Sequence, residues 1–164
     1  MSVRQRDLIA RRLDHLRRMR RHLDYSARRM REGDIADQSP RRLTDEQGEI
    51  LAAFRTRFSE YQEQLGKLLK AVAIEEGVAI VGITDVLAFA EKAGIVDSSE
   101  DWKEPRDIRN AVAHEYEENE QLLAELIVRM LDLVEMLESI HERSERYCVD
   151  KYAVPPAQTS QEKQ

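Results

Sequence analysis

Between Leu51 and Val72 the apolar residues fall at Leu51, Phe54, Phe58, Tyr61, Leu65, Leu68 and Val72, in steps of three, four, three, four, three and four. On an α-helix this spacing draws one unbroken stripe along a single face, where a half-buried strand would show alternation. A stripe of that length faces a core or a coiled partner. Thr44-Asp45-Glu46-Gln47 ahead of it is a capping box, in which the Thr hydroxyl and the Gln side chain satisfy free backbone N–H groups reciprocally. Gly77 ends the helix.

The remaining segments read mostly as helices too. The first is predicted from about Val3 to Arg31, with Leu13, Leu16, Met19, Leu23, Ala27 and Met30 inward and arginines filling the rest. Gly33 is its stop, and Asp34 to Arg42, with Ser39-Pro40, is a loop. Val78 to Ile83 could pass for a short strand but has no second strand to pair with. Thr84-Asp85 caps a short helix, Val86 to Lys92, stopped by Gly94. Asp97-Ser98-Ser99-Glu100 caps another that carries Trp102 toward His114, with Pro105 in its first turns. Leu123, Leu126, Met130, Leu133, Leu137 and Ile140 predict a long last helix that continues to about Tyr147. The expected fold is all-α, an up-and-down bundle of four to five helices. Residues 1–150 form one domain, with 1–33 as its arginine-rich first helix, and 151–164 a disordered tail. The long stripes predict a homodimer.

Composition removes other classes. With 6 Gly and 4 Pro in 164 residues, the chain lacks the turns of a sandwich or barrel. The charge-free run near the middle, Gly77 to Thr84, is far short of the roughly 20 apolar residues that a membrane-spanning helix needs. The start is charged from Arg4 onward and has no apolar signal core, while Asp7, Asp14 and Asp24 argue against a transit peptide. The single cysteine, Cys148, cannot form an internal disulfide, so a cytoplasmic location is expected. No zinc spacing, phosphate-binding glycine loop or dinucleotide fingerprint is present, and no cofactor or metal is expected.

Charge is distributed unevenly. Residues 1–42 hold 13 Arg and 6 acids, a balance of +7 in a chain whose total is −6, leaving −13 for the remainder. Such asymmetry points to a polyanion or an acidic partner for the basic part, or to neutralisation inside the fold or across a dimer. Arg17, Arg21 and Arg106 are candidates for contact with RNA.

Residues with chemical potential gather at Trp102-Lys103-Glu104-Pro105-Arg106-Asp107-Ile108-Arg109-Asn110-Ala111-Val112-Ala113-His114-Glu115-Tyr116. Asn110 and His114, four apart, share a helix face. Arg109 and His114, five apart, stand roughly 140° around an ideal helix. They converge through the long Arg side chain, a distorted helix end or a neighbouring copy. An Arg, an amide and a His suit cleavage of an RNA phosphodiester. The His takes or gives a proton near neutral pH, and the guanidinium holds phosphate oxygens as charge builds on them. The RNA 2′-hydroxyl is itself a nucleophile, so the route needs no metal. A second Arg and His at the same spacing, Arg17 and His22, lies in the arginine-rich helix and reads as a solvated or partner-facing surface. His15 and His141 read as surface or interhelix polar residues.

Arg-Asn-x-x-x-His-x-Tyr, preceded by Trp102 and Arg106-Asp107-Ile108 and followed by a long amphipathic helix, resembles the HEPN superfamily. It is most similar to the HepT-like branch, the toxin partner of a minimal nucleotidyltransferase (MNT) antitoxin. The resemblance covers roughly residues 44–147 in helix order, and only 102–116 carry motif residues. It implies a helical homodimer with two copies of the motif at the subunit interface. It implies a metal-independent endoribonuclease, the toxin of a type VII toxin–antitoxin pair, with Arg109, Asn110 and His114 as its catalytic set. It also implies that Tyr116 is adenylylated by the cognate nucleotidyltransferase, which silences the toxin. The residue readings beside it stand: Tyr116 as an amphipathic residue at the next helix start, Arg109 paired with a carboxylate, His114 as a helix-end cap. The alternative function is a non-catalytic HEPN subunit that partners a nucleotidyltransferase or holds its substrate. Glu115, Glu117, Glu118 and Glu120 surround His114 with negative charge, where RNA binding calls for positive potential.

Overall fold

A computed structural model describes residues 2–36, 38–115 and 119–157, with the backbone alone at Glu115. Among the described residues there are six α-helices: α1 (Val3–Glu32), α2 (Asp45–Glu75), α3 (Ile83–Lys92), α4 (Ser99–Glu115), α5 (Glu120–Asp132) and α6 (Val134–Tyr152). A 3₁₀ turn, Pro40–Arg42, lies in the loop before α2, and no strand occurs among the described residues. Residues 78–82 are a connection and Ile83 already belongs to α3, consistent with the segment's lack of a partner strand.

Helix boundaries follow from local chemistry. The capping box at the start of α2 forms: the Gln47 backbone N–H donates to the Thr44 hydroxyl at 3.2 Å, and the Thr44 N–H to the Gln47 side chain at 3.0 Å. α2 and α3 end in Gly77 and Gly94 at φ 78° and 74°, the left-handed backbone that a side chain resists. Behind each, the next N–H turns back into the helix, Val78 to the Ala73 carbonyl at 3.0 Å and Ile95 to that of Ala90 at 2.9 Å. α1 departs from this pattern. Gly33 keeps a negative φ, and the following residue, Asp34, takes the left-handed conformation at φ 49°. α3 starts at Ile83 rather than at Val86, because the Asp85 carboxylate reaches back to the N–H groups of Val81 and Gly82 at 2.9 and 3.1 Å. Pro105 lies within α4, past its first turn, and is buried there.

Cross-links between the helices set their directions. α1 and α2 are antiparallel: Arg57 donates to Ser26 Oγ at 2.8 Å, and Arg29 pairs with Glu46. α6 is antiparallel to α1, through Arg20 to Glu142 at 2.8 Å near one end and Arg6 to the Ala153 carbonyl at the other. It therefore runs parallel to α2, as the Tyr61–His141 and Glu76–Lys151 pairs require. α4 runs back along α2. There Gly66 is the point of closest approach, since a Cβ at residue 66 would stand 3.0 Å from the Trp102 ring. The α2 stripe, with Leu13, Leu16 and Leu23 of α1 and Leu137 and Ile140 of α6, makes the core.

Two expectations are corrected. One continuous last helix is expected, but the chain turns at Leu133, between α5 and α6. The interruption is local: Leu133 keeps right-handed backbone angles, its N–H still reaches the Arg129 carbonyl at 3.1 Å and its carbonyl accepts from the Leu137 N–H at 3.2 Å, with Leu131 and Leu133 both buried. The domain also extends past residue 150. Tyr152 and Val154 are buried, the Tyr152 hydroxyl and Lys151 Nζ both donate to Glu76, and Arg17 donates to the Pro155 carbonyl at 3.1 Å. Of the expected tail, only 151–157 lie among the described residues, and their first half is packed.

A buried polar chain crosses the core from α2 to α1. The hydroxyl of Tyr61, fully buried, shares a 2.6 Å hydrogen bond with His141 Nδ1. His141 Nε2 faces Glu145 Oε2 at 3.4 Å, and Glu145 accepts from Arg17 Nε at 2.8 Å. Burial works to raise the Glu145 carboxyl, but the hydrogen bonds and charges of His141 and Arg17 outweigh it and hold it at about 2. Two turns earlier on α6, Glu138 has the opposite fate. Burial and the neighbouring Asp24 carboxyl push it up to about 8 against the pull of Arg20.

These features predict three outcomes. Phe58→Ala leaves a cavity at the centre of the stripe and should cost about 3–5 kcal/mol in denaturant unfolding. Truncation after Asp150 should lower the Tm by several degrees, because it removes the contacts of Tyr152 and Val154. Glu138 holds a proton in the folded chain that the unfolded chain, at the ordinary value of 4.5, has already released. Its contribution therefore falls as pH rises from about 4.5 toward 8. Glu145 contributes undiminished over that window and is lost only as pH falls toward 2. The Tm of the wild type relative to Glu138→Gln should thus drop between about pH 5 and pH 8. Parallel Tm curves would exclude this role for Glu138.

Candidate functional site

The second half of α4 lies along the middle of α2, and between them runs an open groove of about 510 Å³. From α4, Arg109, Asn110 and Ala113 line it; from α2, Ala52, Arg55, Thr56 and Ser59 face them. Local sequence explains the opening. The α2 positions 52, 56, 59 and 63 recur at helical spacing on the side away from the apolar stripe, and the first three are small. On α4, Trp102, Ile108 and Val112 turn inward and hold the helix to the bundle, which leaves Arg109 and Asn110 at the rim.

Arg109 is partly exposed, and Asn110 and His114 are exposed. α4 stays helical through Glu115. Up to Glu115 the helix shows no distortion that would bring them together, so within one chain the backbone positions of Arg109 and His114 keep the wide angular separation of a regular helix, and the long Arg side chain or a neighbouring copy would have to bridge it. Arg109 and Asn110 share the groove; His114 stands one turn beyond Asn110 and is not among the residues that line it. Tyr116, the expected adenylylation site, lies outside the described residues, as do Glu117 and Glu118. Arg106 faces outward beside Asp107, whose carboxylate is 3.7 Å away.

Charge in the groove is mixed. Arg55 adds a second guanidinium to that of Arg109, and Glu60 and Glu63 bring carboxylates from the same helix. Glu63 pairs with Lys67 at 3.2 Å. Of the acids that follow His114, Glu120 accepts from the Arg41 backbone N–H at 3.2 Å and has the Arg41 guanidinium nearby at 4.0 Å. Arg55 was not singled out from the sequence. Its signal is its place in the run of small and polar residues on α2, which gains meaning only once α4 is known to face it.

The two first-helix arginines proposed for RNA contact part company. Arg17 points into the bundle, where it pairs with Glu145 and with Asp14 at 2.6 Å. It holds α6, while part of its side chain still reaches a surface hollow shared with Arg21 and Tyr25. Arg21 is exposed and has no ion pair among the described residues. His22 is exposed, in keeping with a surface reading, and its carbonyl accepts from Arg57 at 3.1 Å. His15 is exposed, while His141 is the buried interhelix residue already described. Among the described residues no group of three or more His, Cys, Asp or Glu is arranged to hold a metal ion, and no helix is long and apolar enough to cross a membrane. No protein-family model, curated protein or solved structure matches this chain.

Proposed function

We propose that the chain is a HepT-like endoribonuclease toxin, with Arg109, Asn110 and His114 as its catalytic set. The observation that carries this reading is the open α2–α4 groove, which Arg109 and Asn110 line while His114 stays exposed one turn on. In the reaction, the 2′-hydroxyl oxygen attacks the adjacent phosphorus and the bond to the 5′-oxygen breaks. The products are a 2′,3′-cyclic phosphate and a free 5′-hydroxyl. His114 accepts the 2′-hydroxyl proton and returns one to the departing oxygen. Arg109 neutralises the charge that builds on the phosphate oxygens, and Asn110 orients the phosphate or the imidazole. Because Arg109 and His114 diverge on a regular helix, the complete set forms where two copies meet through α4, so the active species is a homodimer. A cognate MNT-type nucleotidyltransferase silences it by adenylylating Tyr116. The added phosphate there repels RNA as well as obstructing it.

One observation favours a second reading. Glu60 and Glu63 in the same groove oppose a polyanion, and they suit a non-catalytic subunit that engages a nucleotidyltransferase. A chelator experiment separates the two. Purified protein with Tyr116 shown unmodified by intact mass should cleave mixed cellular RNA in excess chelator. His114→Ala and Arg109→Ala should each abolish cleavage while helicity and dimer mass stay unchanged. An unmodified wild type that leaves RNA intact would discard the nuclease reading in favour of the binding subunit. Unfolding of either variant would mark its residue as structural.

A further inference from the structure

α1 carries eleven arginines and four acids in a chain whose net charge is −6. Two sets among those arginines stand apart. Arg17 and Arg20 turn toward α6 and meet Glu145, Glu138 and Glu142. Arg4, Arg11, Arg18 and Arg21 turn outward, are exposed, and have no ion pair among the described residues. Arg4, Arg11 and Arg18 recur every seven residues, so they form a row along one side of the helix, about 10.5 Å apart. The next position in the row is Tyr25, half exposed, with the Arg28 guanidinium 5.4 Å over its ring.

We propose that this outer face of α1 is a docking surface for single-stranded RNA. Asp7 and Asp14 stand between these arginines on the same face, and Asp24 lines the hollow beside Arg21 and Tyr25, but the arginines outnumber them and leave a net positive surface for phosphate contacts. A solvent-facing aromatic ring beside an arginine supplies the stacking platform that an unpaired base, and not a paired one, can reach. Along α1 the exposed large apolar side chains are Val3 and Leu8 near its start and Tyr25, too few and too scattered for the apolar band that a lipid surface would take up. The surface also leads to the groove. A hollow beside α1 is lined by Met19, His22, Arg57 and Glu60, and Glu60 lines the α2–α4 groove as well. A strand lying on α1 thus reaches Arg109 and Asn110 by crossing one helix. The choice of RNA rests on the nuclease reading, and the test keeps the two apart.

Binding of a short unstructured RNA is measured against salt with every protein carrying His114→Ala, so that the RNA stays whole whether or not the parent cleaves it. Replacing Arg4, Arg11, Arg18 and Arg21 together by Glu should make the plot of log affinity against log salt shallower by about 2.8, from four contacts at about 0.7 each on a single strand. The same four positions changed to Gln should give a similar loss, and they serve if the charge-reversed protein does not fold. Tyr25→Ala should weaken binding about fivefold or more with the slope unchanged. Lys67, Lys70, Lys92 and Arg146 changed together to Glu alter net charge equally on other helices, and should affect the slope far less. An unchanged slope in the α1 variants, an equal loss in the control, or displacement of RNA by polyglutamate with no effect of Tyr25→Ala overturns the proposal. If the surface binds RNA and unmodified wild type still fails to cleave it, the docking surface stands and the nuclease reading falls.

Discussion

The bundle depends on a short line of polar groups in its interior. Tyr61, His141, Glu145 and Arg17 connect α2, α6 and α1 through groups that would each be costly to bury alone. Apolar stripes by themselves tolerate a slide of one turn, because a leucine moved along a helix still finds apolar neighbours. A phenol that must meet one imidazole nitrogen does not tolerate it. The line therefore sets the register of the three long helices, and with it which α1 arginines, Arg4, Arg11, Arg18 and Arg21 among them, are left facing outward.

Register matters because the candidate site belongs to two helices and neither makes it alone. Arg55 and Arg109 face one groove only while α2 and α4 keep their alignment, and Gly66 fixes that alignment by admitting the Trp102 ring. A side chain larger than hydrogen at residue 66 would press on the indole and shift α4 along with the arginine it carries. Core packing and groove geometry are thus linked through one close contact.

Much of this architecture was legible along the chain. The α2 stripe, its capping box and its glycine stop act within a few residues of one another, and local chemistry decides them. The interruption at Leu133 has no glycine or proline to announce it, and helical hydrogen bonds to Arg129 and from Leu137 continue across it. Tyr152 and Val154 looked like the start of a tail because their surroundings come from α2 and α1, as the Tyr152–Glu76 pair shows. Arg17 looked like surface for the same reason, its partner Glu145 being 128 residues away. In the site, the spacing of Arg109 and Asn110 told which face they share, whereas Arg55 and the mixed charge around it needed the packing of α4 on α2.

The pairing of Arg6 with the Ala153 carbonyl brings the start of α1 beside the end of α6. α1 and α4 point the same way, so the groove end of α4 and His114 lie toward the opposite pole, near the turn at Arg41 that meets Glu120. The bundle therefore has a tether pole and a working pole. A label or another folded unit joined ahead of α1 or just after α6 starts from the tether pole, at the other end of α4 from His114. The two strands of attachment would run side by side, so joining them by a short linker and opening the chain elsewhere would preserve the helix order in space.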